Sequence, residues 1–174
     1  IHFASKDAFD IDGLGEKIIE QLLIEGIISD AADFFALKEG DLIPLERFAD
    51  KSAQNLVEAI QSKKEVTLPR FLYGLGIRHV GAVTASLLAG YFHNLENLKK
   101  ASEEILSEVE GIGDVVAESI YNWFRENRNL KLLDKLKSLG VGYKEIKIKN
   151  KLNGLTFVIT GSLSEMSREE AEEK

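Results

Sequence analysis

The chain has no cysteine, only two prolines, one tryptophan and one methionine, and no excess of positive charge. Without cysteine there is neither a disulfide nor a thiolate metal site, and the redox compartment is left open. The three histidines, His2, His79 and His93, are too scattered for metal-ligand spacing. No apolar run approaches the roughly 20 residues that cross a bilayer. The opening Ile1-His2-Phe3-Ala4-Ser5-Lys6 lacks the basic-then-apolar order of a signal peptide. These absences point to a soluble, cytoplasmic protein without metal or membrane partners. A net charge of −7 excludes a nucleic-acid binder that works through bulk positive charge, unless phosphate contact is confined to a few local sites.

What is present is an internal repeat. Four segments align: Asp12-Gly13-Leu14-Gly15-Glu16-Lys17, Glu46-Arg47-Phe48-Ala49-Asp50-Lys51, Arg78-His79-Val80-Gly81-Ala82-Val83 and Glu110-Gly111-Ile112-Gly113-Asp114-Val115. Their fourth positions, Gly15, Ala49, Gly81 and Gly113, lie 34, 32 and 32 residues apart. Each segment has an apolar third residue and leads into apolar positions at helical spacing. These are Ile18, Ile19, Leu22 and Leu23; Ala53, Leu56, Val57 and Ile60; Ala85, Leu87 and Leu88; and Val116, Ala117, Ile120, Trp123 and Phe124. Between them, Ser29-Asp30 and His93-Asn94 each offer a helix-capping residue. A shift of 64 places Asp30 on Asn94, Phe34 on Leu98, Leu42 on Leu106 and Leu45 on Val109. The hairpins therefore form two pairs, roughly 11–64 and 75–128, joined by a helix that starts near Pro69 and ends by Gly74 or Gly76.

The tail has a different texture. Val141–Asn153 alternates lysines (Lys144, Lys147, Lys149, Lys151) with apolar or neutral residues and reads as an extended linker or an edge strand. Leu155-Thr156-Phe157-Val158-Ile159-Thr160 is a candidate buried strand, Gly161-Ser162 a turn, and Ser167–Ala171 the start of a capped helix. One strand and part of a helix cannot bury a core, so the expectation is the beginning of a truncated second domain.

A Gly-x-Gly turn before a helix meets two physical needs at once. Glycine reaches positive φ cheaply and lets foreign backbone approach closely. The first helical turn leaves N–H groups without internal partners, backed by the positive end of the helix dipole. Together they suit a phosphate diester, with the contact coming from backbone rather than from net charge. The expected contacts are Gly13, Leu14, Gly15 and Lys17 at the first hairpin, Lys51 at the second, Arg78, His79 and Gly81 at the third, and the Gly111-Ile112-Gly113 backbone at the fourth. Arg47 and Ala49 replace both glycines of the second hairpin, which leaves it open to a purely structural reading. Each feature has a bland alternative: a lone Gly-x-Gly is usually only a tight turn, Lys17 and Lys51 can be ordinary solvated lysines, and Trp123 and Phe124 belong to the core. Contacts of this kind carry no base code. If about four phosphates are engaged, the log–log salt slope should be roughly −3 to −4.

Four runs of the chain resemble bacterial NAD-dependent DNA ligases: Phe9–Lys17, Asp50–Leu56, Ser62-Lys63 and above all Leu75-Gly76-Ile77-Arg78-His79-Val80-Gly81. The stretch Leu152–Gly161 resembles the opening of that family's BRCT domain. Ala49-Asp50 departs from the Gly-Glu usual there. The resemblance implies an all-α architecture of four tandem helix-hairpin-helix motifs in two pairs over 1–146, then the truncated α/β start of a BRCT-like domain over 150–174. It implies nick sealing in replication and repair, with NAD, magnesium and zinc in the full-length enzyme. The partners implied are duplex DNA, nicked, and the remaining ligase domains. The family's Lys-x-Asp-Gly nucleophile motif has no match here, so the expectation is a fragment inactive alone, with no catalytic residue and no cofactor of its own. The rivals are a helix-hairpin-helix region of another repair protein, a glycosylase, for which Asp114 and Asp134 offer no suitable arrangement, and a protein-interaction module.

Overall fold

The computed structural model describes residues 1–46 and 48–144. It is mostly helical. A 3₁₀ turn (His2–Ala4) precedes α1 (Glu16–Ile24), a 3₁₀ helix (Ala31–Ala36), α2 (Glu39–Leu42) and α3 (Asp50–Ser62). A short strand β1 (Glu65–Thr67) and α4 (Leu68–Gly74) lead to α5 (Ala82–Phe92), α6 (Leu95–Lys100), α7 (Glu103–Ser107) and α8 (Asp114–Trp123). Last come α9 (Asn127–Ser138) and β2 (Gly142–Lys144).

The two-level repeat is carried into the fold. Helices α1, α3, α5 and α8 take Gly15, Ala49, Gly81 and Gly113 as N-caps, the four fourth positions of the sequence repeat. Asp30 caps the longer 3₁₀ helix by accepting from the amides of Ala32 and Asp33, and Asn94 caps α6 by accepting from Asn97. The residue pairs brought together by the 64-residue shift, Phe34 and Leu98, Leu42 and Leu106, Leu45 and Val109, are all buried. The halves are unequal at their start, because a 3₁₀ turn stands where the first hairpin needs a preceding helix.

Helix α4 is the centre of the molecule. It packs on α5, on the 3₁₀ turn and on both strands. Pro69 supplies its first turn, where a missing N–H costs nothing. Around it the rings of Phe3 and Phe9 stack at 4.0 Å, with Phe35 and Phe71 about Phe9 at 5.8 and 6.0 Å. A Cβ added at Gly74 would lie 3.0 Å from Phe9 Cε2, so the close approach of α4 to this cluster depends on glycine.

The pairing of β1 with β2 and helix α9 were not expected from sequence. Strands β1 and β2 form a two-stranded parallel pair, Val66 opposite Tyr143. Helix α9 lies between α8 and β2 and is tied by Lys135 to the first half of the chain, through Asp30 at 2.8 Å and Asp33 at 2.7 Å. An edge strand was one of two readings for the stretch after Val141, and Gly142–Lys144 adopt it. Lys147, Lys149, Lys151 and the BRCT-like stretch at 150–174 lie outside the described residues.

Candidate nucleic-acid interface

All four hairpins close with the same hydrogen bond. The third-position amide donates to the carbonyl three residues earlier: Leu14 to Ile11 (3.4 Å), Phe48 to Leu45 (3.2 Å), Val80 to Ile77 (3.0 Å) and Ile112 to Val109 (2.9 Å). In the first, third and fourth turns the residue before that amide is left-handed: Gly13 at φ +81°, His79 at +66° and Gly111 at +87°. Their predecessors Asp12, Arg78 and Glu110 do not have positive φ. That combination defines a type II turn, which demands φ > 0 at its third residue.

The turn settles what each expected contact residue can do. Leu14 and Ile112 are buried, and their amides are committed to the turn. Neither can donate to a phosphate, so they plug the loop into the core and fix its shape. This corrects their place among the contacts. Gly13 and Gly111 are exposed and serve the turn. A Cβ on Gly13 would meet Leu56 Cδ1 of α3 at 3.5 Å, and one on Gly111 would meet Leu87 Cδ1 of α5 at 3.2 Å. Each glycine thus presses its hairpin on the neighbouring helix of its own pair.

The fourth-position glycines differ. Gly15, Gly81 and Gly113 are extended, with φ of −79°, −86° and −85°, a geometry any residue adopts. A Cβ at any of them would meet nothing within 4 Å. Neither backbone strain nor packing among the described residues therefore calls for glycine there. Their amides find no acceptor among the described residues, and the helices behind them carry no side-chain cap. Helices α4 and α9 also begin without a capping side chain, so what marks these three hairpins is the open glycine amide between a rigid turn and a helix. The second hairpin lacks this feature: the Ala49 amide donates to Ser52 Oγ at 2.8 Å, an internal partner that takes the place of an external one.

Charge ranks the sites further. Glu16, Asp50 and Asp114 occupy the first position of α1, α3 and α8, where they suit the helix dipole but oppose an anion. Helix α5 begins with Ala82, and Arg78 and His79 are exposed on the turn before it. Of the four helices that follow the hairpins, α5 is the one that begins without a carboxylate. Lys17 and Lys51 are exposed in the first turns of their helices.

Phe124 is buried and Trp123 half-buried, with their rings 4.9 Å apart, edge to face, as core residues. Leu23 and Leu87, assigned to the apolar stripes from periodicity, are instead exposed, by 50% and 38%. Sequence reasoning missed the Ser52 bond and the left-handed His79. The latter was available in the repeat, because His79 aligns with Gly13 and Gly111. A cleft of about 1110 Å³ lies between the first two hairpins, lined among others by Gly13, Gly15, Lys17, Phe48, Asn55 and Leu56.

Residues 70–133, covering the third and fourth hairpins, match the family described as helix-hairpin-helix motif. Over nearly its whole length the chain is homologous to a segment of DNA ligases. It is 49% identical to a DNA ligase of Coxiella burnetii over 99% of this chain and 26% of that protein. It is 49% identical to one of Hydrogenobaculum sp. over 98% and 25%, and 47% identical to one of Thermoanaerobacter pseudethanolicus over 98% and 26%. The chain thus spans about a quarter of the length of the relatives it matches.

Proposed function

We propose that this chain is the part of a DNA ligase that grips the duplex, holding sugar-phosphate backbone near a nick without reading bases. The observation that carries the reading is the set of open amides at Gly15, Gly81 and Gly113. Each stands at the positive end of a helix of at least nine residues, where glycine is needed by nothing inside the chain. Lys17 and Arg78 add charge beside two of these amides, His79 adds a ring that can donate a hydrogen bond beside the second, and Lys51 adds charge at the self-capped second hairpin. Gly13 and Gly111 hold the turns, and Leu14 and Ile112 anchor them from within. Backbone donors reconcile DNA binding with a net charge of −7.

On this reading residues 1–146 are the gripping unit and 150–174 open a BRCT-like one. On the same reading the full-length enzyme, with the NAD, magnesium and zinc that the family resemblance implies, would seal nicks in replication and repair, and this part alone would not. The described residues contain no group of three His, Cys, Asp or Glu able to hold a metal ion.

A fluorescence-polarisation titration against nicked and intact duplexes, at low and moderate salt, tests the reading. Micromolar binding with a log–log salt slope of roughly −3 to −4 is expected. Absence of binding at low salt rejects it in favour of a protein-interaction module.

A further inference from the structure

We infer that the two halves hold the sugar-phosphate backbone by different chemistry: Lys17 and Lys51 pair with phosphates, whereas the exposed side chains of Val83 and Val115 pack on deoxyribose. The inference rests on the DNA reading above. The second residue of each helix that follows a hairpin is Lys17, Lys51, Val83 and Val115 in turn. Val83 is 76% exposed and Val115 64%. The repeat supplies its own control. The same backbone position after the same turn is a lysine in the first half, so the fold does not require an apolar residue there.

The difference continues along the helix face. Leu87, one turn beyond Val83, occupies the place that Gln21 holds in α1, and it reaches the fourth hairpin at Gly111. Exposed apolar side chains therefore stand at the third and the fourth hairpins, at helix positions that hold Lys17, Gln21 and Lys51 in the first half.

Its occupant follows from direction and size. Helical Cβ atoms tilt toward the N-terminus, so the second side chain flanks the open amides at Gly81 and Gly113. A diester seated on those amides brings the C4′ and C5′ carbons of the adjoining sugars onto these side chains. Valine is stiff and loses little rotamer freedom on contact. Two valines and a partly exposed leucine fall far short of the roughly 1,000 Å² that a specific protein interface buries. They are continuous with the amides that face DNA.

The test is a set of Kd measurements on a nicked duplex across a salt series. Val83→Ala with Val115→Ala should weaken binding about tenfold with the slope unchanged, as expected for lost apolar contact. Lys17→Ala with Lys51→Ala should make the slope shallower by roughly 2, about 0.9 for each phosphate released. Tyr91→Ser is the control. Tyr91 lies on the same face about 12 Å along the axis from Val83, at 1.5 Å per residue, and its loss should leave Kd unchanged. All variants sit on exposed positions, and unchanged melting temperatures confirm their folding. If the unsubstituted chain binds and the valine pair leaves Kd unchanged, this inference falls while the DNA reading stands. A valine pair that flattens the salt slope overturns it too, as does one that abolishes self-association in sedimentation without altering Kd, which would make a second copy the occupant. No binding by the unsubstituted chain removes both.

Discussion

His79 holds in the third hairpin the left-handed backbone position that Gly111 holds in the fourth, at φ +66° against +87°. An L-residue there carries roughly 1–2 kcal/mol of steric cost, partly offset by glycine's larger entropy loss. His79→Gly should therefore stabilise the fold by up to about 1 kcal/mol, and His79→Val should destabilise it by roughly 1–2 kcal/mol. Urea unfolding measures both. If the glycine variant is less stable than the parent, the turn is not what holds this position.

Gly81 and Gly113 give the cleanest separation of folding from binding. Because an added Cβ meets nothing of the chain itself, Gly81→Ala with Gly113→Ala should leave the melting temperature within a degree or two. Affinity for duplex should drop by about tenfold or more, since the methyl groups stand where a phosphate must come. Gly111→Val with Gly113→Val is harsher, losing binding and, through the strained left-handed site at Gly111, stability as well. Full affinity in a folded alanine pair would show that no backbone approaches these glycines.

Acid should loosen the attachment of α9. Burial raises the Asp33 carboxyl, but hydrogen bonds from Lys135 and from Ser29 outweigh it and bring the pKa down to about 2. A depressed carboxylate contributes stability that is complete above its unfolded value, near pH 4, and is lost as pH falls toward 2. The same ion pair raises Lys135, through Asp30 first and Asp33 second, so its contribution is complete below pH 10.5 and is lost as pH rises through the raised value. After discounting for partial exposure the acid-side loss is about 1–2 kcal/mol. Melting curves between pH 5 and pH 2 should show it, and Asp33→Asn should flatten it.

Tyr143 links the strand pair to the second half: its hydroxyl accepts the Leu95 amide at 2.9 Å, and its ring lies 5.4 Å from Phe71. Tyr143→Phe keeps the ring and strands the amide, at a cost of about 1 kcal/mol. Hydrogen exchange at Leu95 should accelerate in step. A neutral result would mean that water replaces the hydroxyl.

The repeat was legible because each copy solves the same local problem. The third-position residue must plug the core and the fourth must start a helix, so Gly15, Ala49, Gly81 and Gly113 announced four N-caps without any long-range information. Asp30 and Asn94 were legible for the same reason, since a side-chain cap acts within three residues. What escaped depends on distant pairing. Strand β1 has only three residues, and although the alternation after Val141 offered an edge strand, the pairing of β1 with β2 depends on α4 and α9 bringing residues 65 and 142 together. Helix α9 carries Leu132, Leu133 and Leu136 at clear helical spacing, but it follows no hairpin turn and lies outside the 32-to-34-residue repeat that directed the reading. Helical spacing placed Leu23 and Leu87 on inner faces because it reports period, not what the neighbouring helix covers. At the interface, residue type pointed to the turns, while the division between Leu14 or Ile112 as plugs and Gly15, Gly81 or Gly113 as open donors needed the hydrogen bonds.

The pairing of Val66 with Tyr143 also governs how load enters the molecule. Strand β1 lies at the join between the two hairpin pairs, so a tug on the chain beyond Lys144 is delivered at that seam rather than at either end.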